Sequence, residues 1–402
     1  MSDIKISFEI TELPISVASN VKGENILEIK TQGGTIFVSA LYDYDPRPLS
    51  LVADIKIGDK IDIIFLDYRI ELHINGVIMD EEWPCGNRLF SIDSKAEGNI
   101  DVNISKYEHT EKEEPSVLST FENAEDWRPG NGVFVGDCMP YVRGDEYHVL
   151  YLKDRHHHKS KWGMGAHQWE HISTRDFKTW KIHPMAVPIT SSEECSICTG
   201  SHIRKGNKEY LFYTVRRAFG LPALICRSVS EDGYHFKKDK DFGFVISEKF
   251  NGPVTRDPKV IADENGIYHM FLTTVLVKEN LGCLAHYISK DLESWQEAEK
   301  PIHVVENSDH PECPDYFKYM GKYYLVFSIR GRARYLVSNK PFEDFERIDN
   351  ENIPCAGVPK CAEWNGKLIF TGFEPIDGYA GIMTFKSATA DENGKLIFED
   401  LK

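Results

Sequence analysis

One pattern recurs along the C-terminal two thirds of this 402-residue chain: a tight turn followed by a short aromatic-rich strand, at 145–151, 208–213, 266–271, 321–327 and 366–370. A second element follows each of the first four copies, as in Ser173-Thr174-Arg175-Asp176-Phe177-Lys178-Thr179-Trp180 and Ser289-Lys290-Asp291-Leu292-Glu293-Ser294-Trp295. A repeat of about 40 to 60 residues built from short strands cannot bury both of its faces alone, so neighbouring copies must stack; this is the sequence signature of a β-propeller blade. Five copies predict five blades.

The N-terminal hundred residues lack the repeat. They read as strands at 4–10, 26–31, 35–41, 50–57, 60–66 and 68–74, with clear alternation before the Asn75-Gly76 hairpin signal, and no helix is needed. The predicted fold class is all-β: a five-bladed propeller preceded by a β-sandwich. The expected organisation is a sandwich over 1–108, a linker over 109–125 whose first half is charged and Pro-containing, and a propeller over 126–402.

Composition narrows the partners. Lys and Arg number 47 against 63 Asp and Glu, a formal charge of −16 with no long basic block, which argues against nucleic acid and anionic membrane surfaces. No apolar run approaches the length of a spanning helix, and the N-terminus lacks a signal-peptide core. Nine scattered cysteines, an odd number, fit free thiols in a reducing compartment, so a cytoplasmic location is expected.

In a propeller the innermost strand of each blade faces a shared channel, so a site there draws single residues from several blades. Three carboxylates answer that description: Asp137 in Val135-Gly136-Asp137-Cys138-Met139-Pro140, Asp257 in Thr255-Arg256-Asp257-Pro258-Lys259, and Glu312 in His310-Pro311-Glu312-Cys313-Pro314-Asp315. Each stands ten or eleven residues before Tyr147, Tyr268 or Tyr323, the aromatics of their own repeats. Carboxylates crowded in one cavity raise one another's pKa, which separates a protonated acid from an ionised nucleophile, as glycoside hydrolysis requires.

At this point the sequence resembles a known family. Arg256-Asp257-Pro258 and Glu312-Cys313-Pro314-Asp315 are similar to the Arg-Asp-Pro and Glu-Cys blocks of glycoside hydrolase family 32, the β-fructofuranosidases and fructan hydrolases. Trp162-Gly163, His167-Gln168-Trp169-Glu170-His171 and Thr199-Gly200-Ser201 resemble weaker blocks of the same family, and the likeness spans roughly 131–390. The resemblance implies a retaining hydrolase of a furanosidic bond in a small oligosaccharide or glycoside, with Asp137 as nucleophile, Asp257 as transition-state stabiliser beside Arg256, and Glu312 as general acid/base. It implies no cofactor. Two departures stand out. The family's Trp-Met-Asn-Asp-Pro-Asn-Gly block is replaced around Asp137, and the sandwich comes before the propeller, where the family usually carries it after. The altered block keeps two alternatives open: a related five-bladed arabinofuranosidase or xylosidase, and a carbohydrate-binding protein without catalysis.

Trp162, Trp169, Arg216 and Tyr316 are further candidates for substrate contact, since aromatic faces stack on sugar rings and guanidinium forks bind hydroxyls; Arg256 and Ser201 join them through the resemblance. The run His156-His157-His158 reads as an exposed loop, because three consecutive side chains cannot converge on one ion from an extended strand. Cys195 and Cys198 have redox-motif spacing without the βαβ context or a second pair, so no metal is assigned.

Overall fold

The computed structural model describes residues 3–44, 49–108, 114–130, 132–155, 167–348, 352–355 and 357–401. Trp162 and His156 to His158 lie outside the described residues. Among those described, the only helical elements are two short 3₁₀ turns, Ala218–Gly220 and Gly252–Val254, and all other regular structure is strand. No helix of the described residues is long and apolar enough to cross a membrane.

Two compact units result. The first comprises the N-terminal residues through 108 together with Ile189–Ser196. It holds two five-stranded antiparallel sheets. One runs in the order Asn103–Lys106, Ile4–Glu9, Lys60–Phe65, Ile70–Ile74, Val77–Glu82; the other runs Leu49–Asp54, Thr35–Ala40, Glu24–Gln32, Ser16–Val21, Glu97–Gly98. Period-two alternation decides the buried face: Ile4, Ile6 and Phe8 point into the core while Lys5, Ser7 and Glu9 do not. Ile29, Ile36, Ile63, Phe65 and Leu72 complete the apolar layer. The strands Ser16–Val21 and Val77–Glu82 were not anticipated. The first is mostly small and polar, and the second turns Val77, Ile78 and Met79 outward, so neither shows the expected alternation.

The second unit is the propeller. Its blades are built on Val133–Arg143, Glu146–Arg155, Gln168–Thr174 and Thr179–Ile182; on Glu194–Lys205, Lys208–Arg217, Leu224–Ser230 and Lys237–Lys238; on Arg256–Ala262, Tyr268–Leu276, Leu281–Ser289 and Gln296–Glu297; on Glu312–Tyr319, Lys322–Ile329 and Arg332–Ser338; and on Lys360–Trp364, Lys367–Pro375, Gly381–Ala390 and Leu396–Asp400. First and fifth blades are joined directly, through pairing of Val135 with Gly381. The segment expected as a linker needs correction. From Glu114 onward it belongs to the propeller unit, and Ser119–Glu122 pairs with Thr179–Ile182 as the outer edge of the first blade.

The second repeat element proves to be an aspartate-closed turn. Oδ1 of Asp176, Asp232 and Asp291 each accepts two backbone N–H bonds, from residues two and three positions on, at 2.8–2.9 Å. The Ser or Thr two residues earlier accepts the N–H of Phe177, Gly233 or Leu292, each at 2.9 Å and each in the left-handed region. Asp and Ser/Thr side chains that substitute for backbone partners in this way make the turn locally encoded, which is why it was visible as a repeat.

Candidate active site

The three carboxylates stand where innermost strands are bulged. Register of Val133–Arg143 against its neighbour shifts between Val135 and Cys138, that of Arg256–Ala262 between Arg256 and Lys259, and that of Glu312–Tyr319 between Glu312 and Asp315. A bulge inserts an unpaired residue and re-aims its side chain, which is how a strand otherwise committed to pairing presents a functional group. Asp257 and Cys313 take φ of 59° and 52°, the left-handed region that non-glycine residues rarely occupy outside such sites.

Asp137 is gripped by three donors. Thr199 Oγ1 donates to Oδ2 at 2.5 Å, Cys313 Sγ donates to the same oxygen at 3.2 Å, and Tyr379 OH donates to Oδ1 at 2.8 Å. The Asp137 N–H in turn donates to the Tyr379 hydroxyl at 3.3 Å. A Cβ at position 136 would lie 2.7 Å from that hydroxyl, so Gly136, one of the departures around Asp137, is what lets Tyr379 reach the carboxylate. Asp257 Oδ2 accepts the Cys313 N–H at 3.0 Å. Cys313 thus touches two of the three carboxylates, one through its thiol and one through its backbone.

Arg256 ties the other two together. Its guanidinium donates to Glu312 Oε1 at 2.8 Å and to the Val254 carbonyl at 2.7 Å, lies 3.1 Å from His310 Nδ1, and brings Nε to 3.5 Å from Asp257 Oδ2. Burial works against its charge, yet the Asp257 and Glu312 carboxylates hold its pKa above the ordinary value. Asp257 is 2% exposed, and its carboxyl is pushed up to about 6. Burial is the largest cause; Asp137 and Glu312 add to it, while Arg256 and Lys360 oppose it. Glu312 keeps more contact with water, its side chain 29% exposed. The arrangement is therefore two enclosed carboxylates and one more open one, with the Arg256 guanidinium against Asp257 and Glu312.

Of the expected substrate contacts, Arg256 is in the cluster and Arg216, half-buried, lies near Cys198, whose thiol also feels Arg256, Asp257 and Asp137. Trp169 needs correction: it is wholly buried, its Nε1–H donates to the Cys198 carbonyl at 3.0 Å, and its ring lies against Gly200, leaving no face for a sugar. Ser201 is likewise engaged, donating to the Pro258 carbonyl at 2.9 Å and accepting from the Val260 N–H at 2.8 Å, which staples the second blade to the third. Tyr316 is buried between the third and fourth blades, stacked on Phe342 and packed against Phe271. Tyr379 was missed entirely and Thr199 was read only as part of a block. No local signal marks Tyr379, since it reaches Asp137 across 242 positions of sequence.

A sequence profile described as "Glycosyl hydrolases family 32 N-terminal domain" matches residues 138–349, a stretch that holds Asp257 and Glu312 and begins one position after Asp137. The sucrose-6-phosphate hydrolase of Bacillus subtilis (strain 168) is 31% identical over 243 residues, covering 56% of this chain and 47% of that protein. A probable sucrose-6-phosphate hydrolase of Psychromonas ingrahamii is 26% identical over 242 residues, 58% of this chain and 41% of its own length. The chain thus spans about half the length of the curated relatives it matches. Among solved structures, fructan 1-exohydrolase IIa of Cichorium intybus is similar with a TM-score of 0.57 at 17% identity, over 72% of this chain and 62% of that one. A GH32 beta-fructofuranosidase of Bombyx mori gives 0.54 at 17%, over 71% and 67%.

Proposed function

This chain belongs to glycosyl hydrolase family 32, and from that membership we propose that it is a retaining β-fructofuranosidase acting on sucrose or a short fructoside. Asp137 is the nucleophile, Glu312 the general acid/base and Asp257 the stabiliser of the oxocarbenium-like transition state, with Arg256 holding Asp257 and Glu312 in one frame. The observation that carries the reading is the convergence of three bulged inner strands on one set of carboxylates, with three donors fixing the orientation of Asp137. Glu312, the most exposed of the three, is placed to exchange its proton with a leaving alcohol and then with water. Relatives named sucrose-6-phosphate hydrolases support a sucrose-type substrate. A cytoplasmic setting belongs to the same proposal and is supported by nine cysteines that all remain free thiols.

Proton NMR of the protein with sucrose, sucrose 6-phosphate, short fructans and aryl arabinofuranosides tests substrate and stereochemistry together. The first fructose signal expected is the β-configured anomer, before mutarotation; from sucrose 6-phosphate, whose phosphate is on the glucose ring, the other product is glucose 6-phosphate. Cleavage of the arabinofuranosides alone would overturn the fructoside assignment, and initial release of the inverted anomer would overturn the double displacement.

The buried stabiliser sets a pH limit. Asp257 acts ionised, and its carboxyl titrates at about 6 in the free protein. The specificity constant is therefore expected to fall as pH drops through that value, about tenfold for each further unit, while the need for a proton on Glu312 limits it on the alkaline side. A kcat/KM profile still flat at pH ~5, a full unit below that value, would contradict the assignment.

A further inference from the structure

A buried histidine cluster on the first blade, outside the carboxylate site, is not explained by the hydrolase reading. Registers of the first and third blades make them comparable position by position. His148 lies opposite Ser173 and Leu150 opposite His171; in the third blade His269 lies opposite Ile288 and Phe271 opposite His286. The next segment corresponds as well, since the N–H of His183 donates to the His171 carbonyl just as that of Ala298 donates to the His286 carbonyl, both at 2.9 Å.

An imidazole pair is common to both blades: His148 Nδ1 and His171 Nε2 are 2.9 Å apart, His269 Nδ1 and His286 Nε2 2.8 Å apart. Such a pair alone is a packing device of this fold. Four positions around it are not shared: Tyr141, whose hydroxyl lies 3.3 Å from His171 Nε2, stands opposite His148 where the third blade has Ile261 opposite His269, and three more differ. Where the third blade has Ile267, Ile288 and Ala298, the first has Glu146, Ser173 and His183. All of these side chains in the first blade are buried, and one ring nitrogen from each of His148, His171 and His183 can be chosen so that the three lie within 4.8 Å of one another.

Proton counting shows what the cluster lacks. His183 Nδ1 is 2.5 Å from the Ser116 carbonyl, a contact only an N–H can make. Its Nε2 is 2.7 Å from Ser173 Oγ, which is also 2.7 Å from Glu146 Oε1. The chain has an acceptor at each end, so its three links need three protons, and a neutral imidazole with one hydroxyl supplies two. Two further ring nitrogens, His148 Nε2 and His171 Nδ1, have no hydrogen-bond partner, although Glu146 Oε2 stands 3.8 Å from the first. Buried nitrogens in that condition call for a ligand or a charge.

We propose that this cluster is a binding site for a divalent transition metal of the zinc class, ligated by His148, His171 and His183 with the Glu146 carboxylate as counter-charge. Imidazole nitrogens are the donors such an ion prefers, at about 2.0–2.1 Å. A ring whose other nitrogen donates to a backbone carbonyl, as His183 does, is in the tautomer and orientation that metal ligation uses. With the ion on His183 Nε2, Ser173 keeps its proton for Glu146 and the count closes. Lys181 Nζ and Tyr234 OH, on half-buried side chains, also reach Glu146, at 3.2 and 2.8 Å. No ligand spacing announces the site, because its histidines sit at 148, 171 and 183 on separate segments of one sheet.

The test uses the full chain, stripped with a chelator, dialysed and titrated with zinc chloride. Calorimetry is expected to show about one zinc per chain, the unfolding midpoint to rise by several degrees, and a crystal to give an anomalous zinc peak among the three rings. His183→Ala copies the third blade's Ala298, is expected to fold, and should lose the bound zinc and the thermal shift. Wild-type protein that takes up no zinc, or an anomalous peak elsewhere that survives in His183→Ala, would overturn the site and leave a proton on His183 as the missing charge. None of these readouts depends on activity, so the outcome is independent of the hydrolase assignment.

Discussion

Asp137→Asn is expected to lower turnover of the fructoside by roughly four to six orders of magnitude while leaving the protein folded. The amide is isosteric but cannot form the glycosyl ester through which a retaining enzyme passes. Its effect on stability should be small for a reason visible in the donors. The new carbonyl oxygen can still accept from Thr199 and Cys313, and the amide nitrogen can donate to the Tyr379 hydroxyl in place of accepting from it. Turnover by reducing-sugar release, read beside the thermal midpoint, checks both halves. More than about one per cent of wild-type activity in a folded, uncontaminated Asp137→Asn sample would remove Asp137 from the nucleophile's role.

Glu312→Gln is expected to cost about 10²- to 10⁴-fold with sucrose, whose leaving alkoxide needs a proton, and far less in the first step with an aryl fructoside whose leaving group departs unaided. Water attack on the intermediate still lacks its base, so aryl substrate should give a burst followed by a slow phase. Added azide, which needs no base, should rescue the slow phase. Equal losses on both substrates without a burst would assign Glu312 a positioning part only. That outcome has a structural counterpart, since Glu312 accepts from Arg256 at 2.8 Å and its removal frees that guanidinium beside Asp257.

Much of the propeller was legible because its signals are local. An aromatic strand and an Asp-closed turn are each specified within about eight residues, so Thr174-Arg175-Asp176 and Ser289-Lys290-Asp291 mark blades wherever they occur. Harder to read were edges of low apolar content. Ser119–Glu122 joined the first blade rather than a linker because its partner, Thr179–Ile182, supplies the pairing that its own composition does not advertise. In the sandwich, Ser16–Val21 went unread for the same reason.

By itself the sequence determined the all-β class and the number of blades and pointed to the three carboxylates proposed as catalytic, because each depends on a short segment and on its offset from the repeat. Tertiary structure alone decided what surrounds those carboxylates. Thr199, Cys313 and Tyr379 reach Asp137 from 62, 176 and 242 positions away, and Trp169 and Tyr316, plausible by residue type, and Ser201, expected from the resemblance, are engaged instead in the packing of one blade on the next. The physical reason is common to both. A hydrogen bond or a buried ring face is fixed by which blade stacks on which, and that information resides in the closed ring rather than in any one of its strands.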